Sequence, residues 1–422
     1  MSKGDRIPFR VRLKFFCEKT AGCGVFGACV TENQMDYAPR AFDRLGHHML
    51  GIYIHIPFCR QKCGYCDFCS TARFDDKLLD RYVEALSTQF EECFRHKNAA
   101  EADTVYFGGG TPSILGGKRI AHLLRTLQKY VRLKYPEITV EVNPESADKK
   151  LFRQLKAAGV NRISMGVQSA NDDELRALGR IHTFEQAAQA AELCRKYCTD
   201  NLSLDLMYGL PGQSVGDVLA SLEAIAALEP RHISAYALKL EEGTPLFAQN
   251  PALPDDDTVA DMYLAVCDRL RELGFAQYEI SNFAKDGCVS RHNSKYWDLT
   301  EYIGFGCSAH SLYGGKRFSF TSDLAQYLEG MSGRGAIIEE MDELSVRNRS
   351  GEYVMLRLRT TAGIDEHAFY TRFGYDFSPY AAVLRKYVDG GYAEYAAGVW
   401  RLTPKGFFVS NAIIADVLDA VQ

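Results

Sequence analysis

A chain of 422 residues has room for two or three domains, and 46% hydrophobic with 24% charged residues marks an ordinary globular protein with ample core. The formal charge of -5, from 49 basic and 54 acidic side chains, gives no reason to expect nucleic acid, and no apolar stretch is long enough to span a bilayer. The 13 cysteines are scattered, several in helical stretches (Cys93, Cys194, Cys198, Cys267), which suits reduced thiols in a cytoplasm and argues against a secreted disulfide framework.

Residues 1–48 mix Cys17, Cys23 and Cys29 with glycine, proline and charge and show no sustained period. Arg6, Arg10 and Arg12 would suit a transit peptide, but Asp5, Glu18, Glu32 and Asp36 do not. A credible strand begins directly after Met49, so Met49 is expected to be the true start and 1–48 an unpatterned extension.

Residues 51–56 read as a short buried strand ended by Pro57. Cys59, Cys63 and Cys66 then share one short loop in the spacing CxxxCxxC. Zinc usually takes four protein ligands, whereas three thiolates suit a cubane iron–sulfur cluster with one iron left open. Cys69 keeps a second reading alive, a structural zinc site on all four cysteines.

From 49 to 250 short apolar strands alternate with amphipathic helices. Strands are expected at 51–56, 104–107, 138–142, 162–166, 202–207 and 232–238, and helices at 76–94, 118–134, 149–158, 184–197 and 215–227. Six such units predict an α/β fold, a partial (β/α)6 TIM-like barrel with its site at the C-terminal strand ends. The polar and glycine-rich residues fall at those ends: Gly108-Gly109-Gly110-Thr111-Pro112, Glu141, Gln168 and Asp205. Glycines at 109 and 110 let backbone approach a ligand, and Glu141 suits an ammonium or a hydroxyl. Arg180 is a candidate carboxylate clamp.

Residues 251–340 extend the barrel, with a helix at 255–274, a strand at 275–283, the stretch His292-Asn293-x-x-Tyr296-Trp297 and a glycine-rich segment at 302–311 expected to fold against the barrel. The last unit, 341–422, has helices at 350–357, 365–373, 380–390 and 407–418 and short strands at 392–395 and 398–402, a winged-helix-like α+β pattern. Its acidic residues Asp365, Glu366, Asp376, Asp389 and Glu394 speak against DNA and leave a lid or docking role.

The CxxxCxxC loop with Tyr65 resembles the radical S-adenosylmethionine (SAM) superfamily. That resemblance implies a [4Fe-4S] cluster whose open iron chelates SAM, reduction by a donor such as flavodoxin or ferredoxin, and release of a deoxyadenosyl radical. Tyr53-x-His55-Ile56-Pro57-Phe58-Cys59, the GGGTP loop, the run from Arg162 to Ser169 and the run from Asp205 to Gly212 are similar to the oxygen-independent coproporphyrinogen III oxidase family. By that resemblance Tyr53, Gly109 and Glu141 touch the SAM on the cluster, while Tyr65, Gly110, Thr111, Gln168, Arg180 and Asp205 touch a second SAM. Two features depart from the oxidases. Phe68 stands where they carry a fourth cysteine, with Cys69 one residue too late, and 1–48 lacks their GPRYTSYPT-like stretch. The HNxxYW stretch resembles instead the HemW-type heme chaperones, a branch of the same family. It implies heme as a ligand, acceptor hemoproteins (respiratory ones included) as partners, and His292, Asn293, Tyr296 and Trp297 as the heme site, with His292 the axial ligand.

Overall fold

The first strand, β1 (Leu50–Ile56), forms where Leu50, Ile52, Ile54 and Ile56 are all buried, and Pro57, lacking an amide hydrogen, ends it. The computed structural model describes residues 49–95 and 100–420, so the expectations for 1–48 lie outside the described residues. Parallel strands follow as β2 (Ala100–Gly109), β3 (Val131–Val142), β4 (Arg162–Gln168), β5 (Leu202–Tyr208) and β6 (His232–Ala237). Helices Asp76–Phe94, Gly116–Leu127, Lys149–Ala157, Phe184–Tyr197 and Val215–Ala226 make the crossovers, with an unforeseen short helix Asp172–Ala177 after β4. Side chains stop these helices from fraying. Asp75 accepts from the Leu78 amide at 2.8 Å, and Thr183 and Ser214 form reciprocal capping boxes with Gln186 and Asp217.

Beyond β6 the sheet widens at both edges. β7 (Ala276–Gln277) and β8 (Asn282–Ala284) add antiparallel strands next to β6. β9 (Tyr302–Phe305) runs parallel to β1 on its free side, and β10 (His310–Tyr313), β11 (Lys316–Phe320) and β12 (Ile338–Glu343) continue antiparallel. The result is a partial (β/α)6 barrel whose sheet reaches 12 strands. Its outermost strand, β12, is exposed along almost its whole length.

Side-chain alternation sorts the strands into two faces. Val140, Val142, Ile163, Met165, Leu204, Leu206 and Ile233 are buried against the helices. The intervening positions turn inward and are polar: Glu141 pairs in register with Ser164, Ser203 with His232, and Asp205 with Ser234. This hydrophilic lumen, not a second apolar face, marks the inside of the barrel.

Several expected elements shift. The helix expected at 118–134 stops at Leu127, and Val131–Val142 is strand. Val131 and Leu133 face Ala100 and Ala102 of β2 with strand periodicity, and Pro136 is incompatible with a helix interior. The single strand expected at 275–283 is the two short strands β7 and β8 joined by a turn through Glu279. The glycine-rich segment 302–311 joins the sheet itself as β9 and the start of β10.

In the C-terminal α+β unit, helices Val346–Arg357, Glu366–Phe373 and Ser378–Leu384 pack with a three-stranded sheet of β13 (Ile364–Asp365), β14 (Ala393–Ala396) and β15 (Val399–Leu402), in the order β13-β15-β14. The helix expected at 407–418 is broken at Val409 into Pro404–Phe408 and Ser410–Asp419. Phe369 is ringed by Phe373, Tyr375, Phe377 and Tyr380, giving the unit a winged-helix-like aromatic core. Backbone bonds from Ile280 to Arg359 and from Thr361 to Tyr278 fasten it to the barrel.

Candidate functional site at the barrel mouth

The cysteine loop leaves β1 and is pinned from three sides. Cys59 N–H donates to Thr71 O at 3.0 Å, Gly64 N–H to Leu178 O at 2.9 Å, and Leu246 N–H to Gly64 O at 2.7 Å. The glycine loop after β2 docks directly beneath, with Gly110 N–H on Ile56 O at 2.8 Å and Thr111 N–H on Phe58 O at 2.7 Å. A Cβ at Gly110 would lie 2.7 Å from Phe58 O and 3.0 Å from Cys59 Sγ, so only glycine fits there. Cys59, Cys63 and Cys66 are all partly exposed on this loop, and burial pushes the thiols of Cys59 and Cys66 up, the latter to about 11. Three partly exposed thiols on one backbone-pinned loop suit a multinuclear cluster, which takes them as thiolates and releases their protons.

Cys69 does not join them. Its thiol donates to Ser322 O at 3.2 Å. Phe68 is 64% exposed and also takes no part in the loop's interior.

Around the loop the expected contact residues form two groups. In the first, Glu141 Oε1 accepts from Tyr106 Oη at 2.7 Å and Oε2 from the Gly109 amide at 3.2 Å, while Tyr53 stacks on Tyr106. Burial lifts the Glu141 carboxyl to about 7, against the pull of those two donors. Tyr53 Oη pairs with His55 Nδ1 at 3.1 Å, and His55 Nε2 donates to Cys69 O at 3.1 Å. In the second group, Arg180 reaches Cys63 Sγ at 3.4 Å, Gly166 O at 2.6 Å and Asn143 Oδ1 at 3.1 Å. Asn143 Nδ2 in turn donates to Thr111 Oγ1 at 3.0 Å, and Gln168, held at φ 76°, accepts from Tyr236 Oη at 2.8 Å. Tyr65 packs with Leu178, Met207 and Leu246 and faces Arg180 and Asp205. Burial raises Asp205 to about 6.

Two residues of this site were not singled out from sequence. Tyr106 positions Glu141, and its signal was its place two residues before the glycine run. Asn143 bridges Thr111 and Arg180, and it was visible only as a polar residue at the end of β3.

The HNxxYW residues are elsewhere. Their helix, Arg291–Trp297, closes the opposite end of the barrel, where Thr104 begins its pairing with Gly51. His292 is 0% exposed, its Nδ1 lies 2.9 Å from Thr104 Oγ1, and its Nε2 lies 2.8 Å from Tyr296 Oη. Burial pushes its imidazole down to about 3. Both ring nitrogens are engaged inside the protein, so binding heme iron at His292 would require one of these bonds to be given up. Asn293 lines a cavity of about 220 Å³ in the lumen, together with Arg162, Asp205, His232 and Glu141. Tyr296 packs edge-on to Tyr302, and Trp297 ends the helix half-buried.

A barrel of this kind with three thiols on the loop after its first strand defines a class, and residues 53–225 match the model of the radical SAM superfamily. Residues 344–409 match the HemN C-terminal domain. The chain is 35% identical over 372 residues to heme chaperone HemW of Escherichia coli, covering 86% of this chain and 97% of that one. It is 32% identical over 377 residues to heme chaperone HemW of Bacillus subtilis, covering 88% and 99%. Among solved structures, coproporphyrinogen III oxidase (HemN) from Escherichia coli superposes with a TM-score of 0.77 at 22% identity over 88% of this chain and 89% of that one. The chain belongs to the HemW family of radical SAM proteins.

Proposed function

We propose that this protein is a heme chaperone that binds heme and passes it to acceptor hemoproteins. The observation that carries the reading is its likeness to the two proteins named heme chaperone HemW over nearly their whole lengths. The exposed Phe68 at the position of the oxidases' fourth cysteine points the same way. Likeness to the oxidase structure concerns the fold alone.

In this reading Cys59, Cys63 and Cys66 hold a [4Fe-4S] cluster with SAM on its open iron. When bound, the cluster supplies a coordination site and a single electron, delivered by a donor such as flavodoxin or ferredoxin. The chain's own residues prepare the place. Glu141, fixed by Tyr106 and the Gly109 amide, offers a carboxylate to the SAM ammonium, and Tyr53 walls that side. Tyr65, Gly110, Thr111, Gln168, Arg180 and Asp205 make a second sulfonium subsite, in which Arg180 takes a carboxylate. Residues 49–250 form the barrel proper, 251–340 its extension and 341–422 a docking unit. The HNxxYW helix acts as the barrel floor, so the heme iron takes its ligand from another side chain.

Anaerobic titration of the reconstituted protein with hemin, with SAM cleavage followed in parallel, tests the proposal. Saturable heme binding and transfer to an apo-hemoprotein are expected. Formation of protoporphyrinogen from coproporphyrinogen III and SAM would establish the oxidase instead, and zinc in place of iron and sulfide would remove the cluster.

A further inference from the structure

Two thiols outside the cluster motif meet beside it. Cys69 lies where the chain leaves the cysteine loop and Cys307 lies in the turn between β9 and β10; Cys69 Sγ reaches Ser322 O at 3.2 Å, the Ser308 amide bonds the neighbouring Thr321 O at 2.9 Å, and the two thiols face each other. Backbone fixes both partners. Cys69 O accepts from His55 Nε2 at 3.1 Å. The Cys307 amide donates to Tyr82 Oη at 3.1 Å, and Tyr82 Oη donates to His55 O at 2.9 Å. The turn has no slack: Gly306 (φ 99°) and Ser308 (φ 61°) are both left-handed, and a Cβ at 306 would lie 2.4 Å from Tyr82 Oη. The two thiols differ in access, Cys69 being partly exposed and Cys307 fully buried. Cys69 also differs from two other thiols of the chain: the contact with Cys307 holds it down at about 7, whereas burial pushes Cys198 and Cys267 up to about 11 and about 12.

We propose that Cys69 and Cys307 are an oxidisable dithiol, in which Cys69 is attacked by a hydroperoxide and Cys307 resolves it, stapling the exit of the cysteine loop to the β9–β10 turn. The Cys69 thiolate takes the terminal peroxide oxygen, the O–O bond breaks, and the departing hydroxide or alkoxide takes a proton. Cys307 sulfur then displaces the sulfenic oxygen, which leaves as water with the Cys307 proton. In sum, two thiols and one hydroperoxide give one disulfide, one alcohol or water, and one water. Because Thr71 O holds Cys59 N–H and Thr71 N–H holds Pro57 O, a staple at 69 fixes the return limb of the whole cysteine loop.

The test uses the cluster-loaded protein, one equivalent of hydrogen peroxide, alkylation and non-reducing peptide mapping. A Cys69–Cys307 crosslinked peptide, two hydrogens lighter and restored by dithiothreitol, is the expected product. Cys307→Ser, which keeps a hydroxyl donor, should leave a Cys69 sulfenic acid that dimedone traps. Equal alkylation of Cys69 before and after peroxide, or its crosslinking to Cys59, Cys63 or Cys66, would overturn the assignment. Mapping of the unaltered chain decides the matter even if the variant does not accumulate.

Discussion

Both ends of the barrel hold histidine, tyrosine and carboxylate side chains but use them in opposite ways. At the mouth, the thiols of Cys59 and Cys66 are raised by burial and the glycine loop leaves no room for a Cβ. At the floor, His292 spends both ring nitrogens on Thr104 and Tyr296, and Glu137 accepts the amides of Arg291 and His292 at 3.1 and 3.0 Å. The imidazole of the floor is fully buried, whereas the thiols of the mouth lie on a partly exposed loop that a ligand can reach. A column of rings joins the two ends: His292 stacks on Tyr106 with centroids 5.2 Å apart, and Tyr106 holds Glu141.

Six substitutions sharpen or break this contrast. The largest effect belongs to the mouth: Cys59→Ala, Cys63→Ala or Cys66→Ala should each abolish iron and sulfide incorporation while leaving the far-UV circular dichroism unchanged. Iron retained at the native stoichiometry in any of them would remove the cluster assignment. Next comes the floor. His292→Ala should cost about 2–4 kcal/mol, since it empties a buried site and strands Thr104 and Tyr296, while leaving the heme absorption spectrum unaltered. Denaturant unfolding measures the first part, and a changed spectrum would return His292 to the ligand set.

A smaller loss, roughly tenfold in SAM affinity, is expected for Gly110→Ala, because the new methyl pushes the glycine loop off Phe58 O and Cys59. Calorimetry on reconstituted protein reads it. The smallest effect is a pH dependence at Glu141. Its folded value of about 7 lies above the ordinary value of 4.5, so the native state binds the extra proton and the protein without ligands loses stability as pH rises through that interval. Glu141→Gln should flatten this part of the profile. A SAM ammonium prefers the ionised carboxylate, so affinity for SAM should rise severalfold across the same range in the parent and not in the variant.

The mouth was legible in the sequence because its parts recur at fixed places, the end of one strand after another: Cys59 after β1, Gly109 at the end of β2, Glu141 in β3, Asp205 in β5. What the chain order hid was partnership. Nothing near His292 announces Thr104, which is 188 residues away, and without that bond an imidazole beside Asn293 and Trp297 looks available. Likewise nothing near Cys69 announces Ser322, which is 253 residues away. The helix expected at 118–134 failed for a local reason. Val131 and Leu133 satisfy a period of two as well as a helical stripe, and only pairing with β2 decides between them.

The width of the sheet has a consequence of its own. A ribbon of 12 strands ends in two open ladders, and an open ladder invites a stranger's backbone. One end is blunted by brevity, since β7 is only 2 residues long. The other is fended off by charge: Glu339, Glu340, Asp342 and Glu343 stand along β12 and repel an identical neighbour. Replacing those carboxylates by amides, as in Glu340→Gln with Asp342→Asn, would strip this fence, and the protein should then begin to clump through β12 before its interior melts.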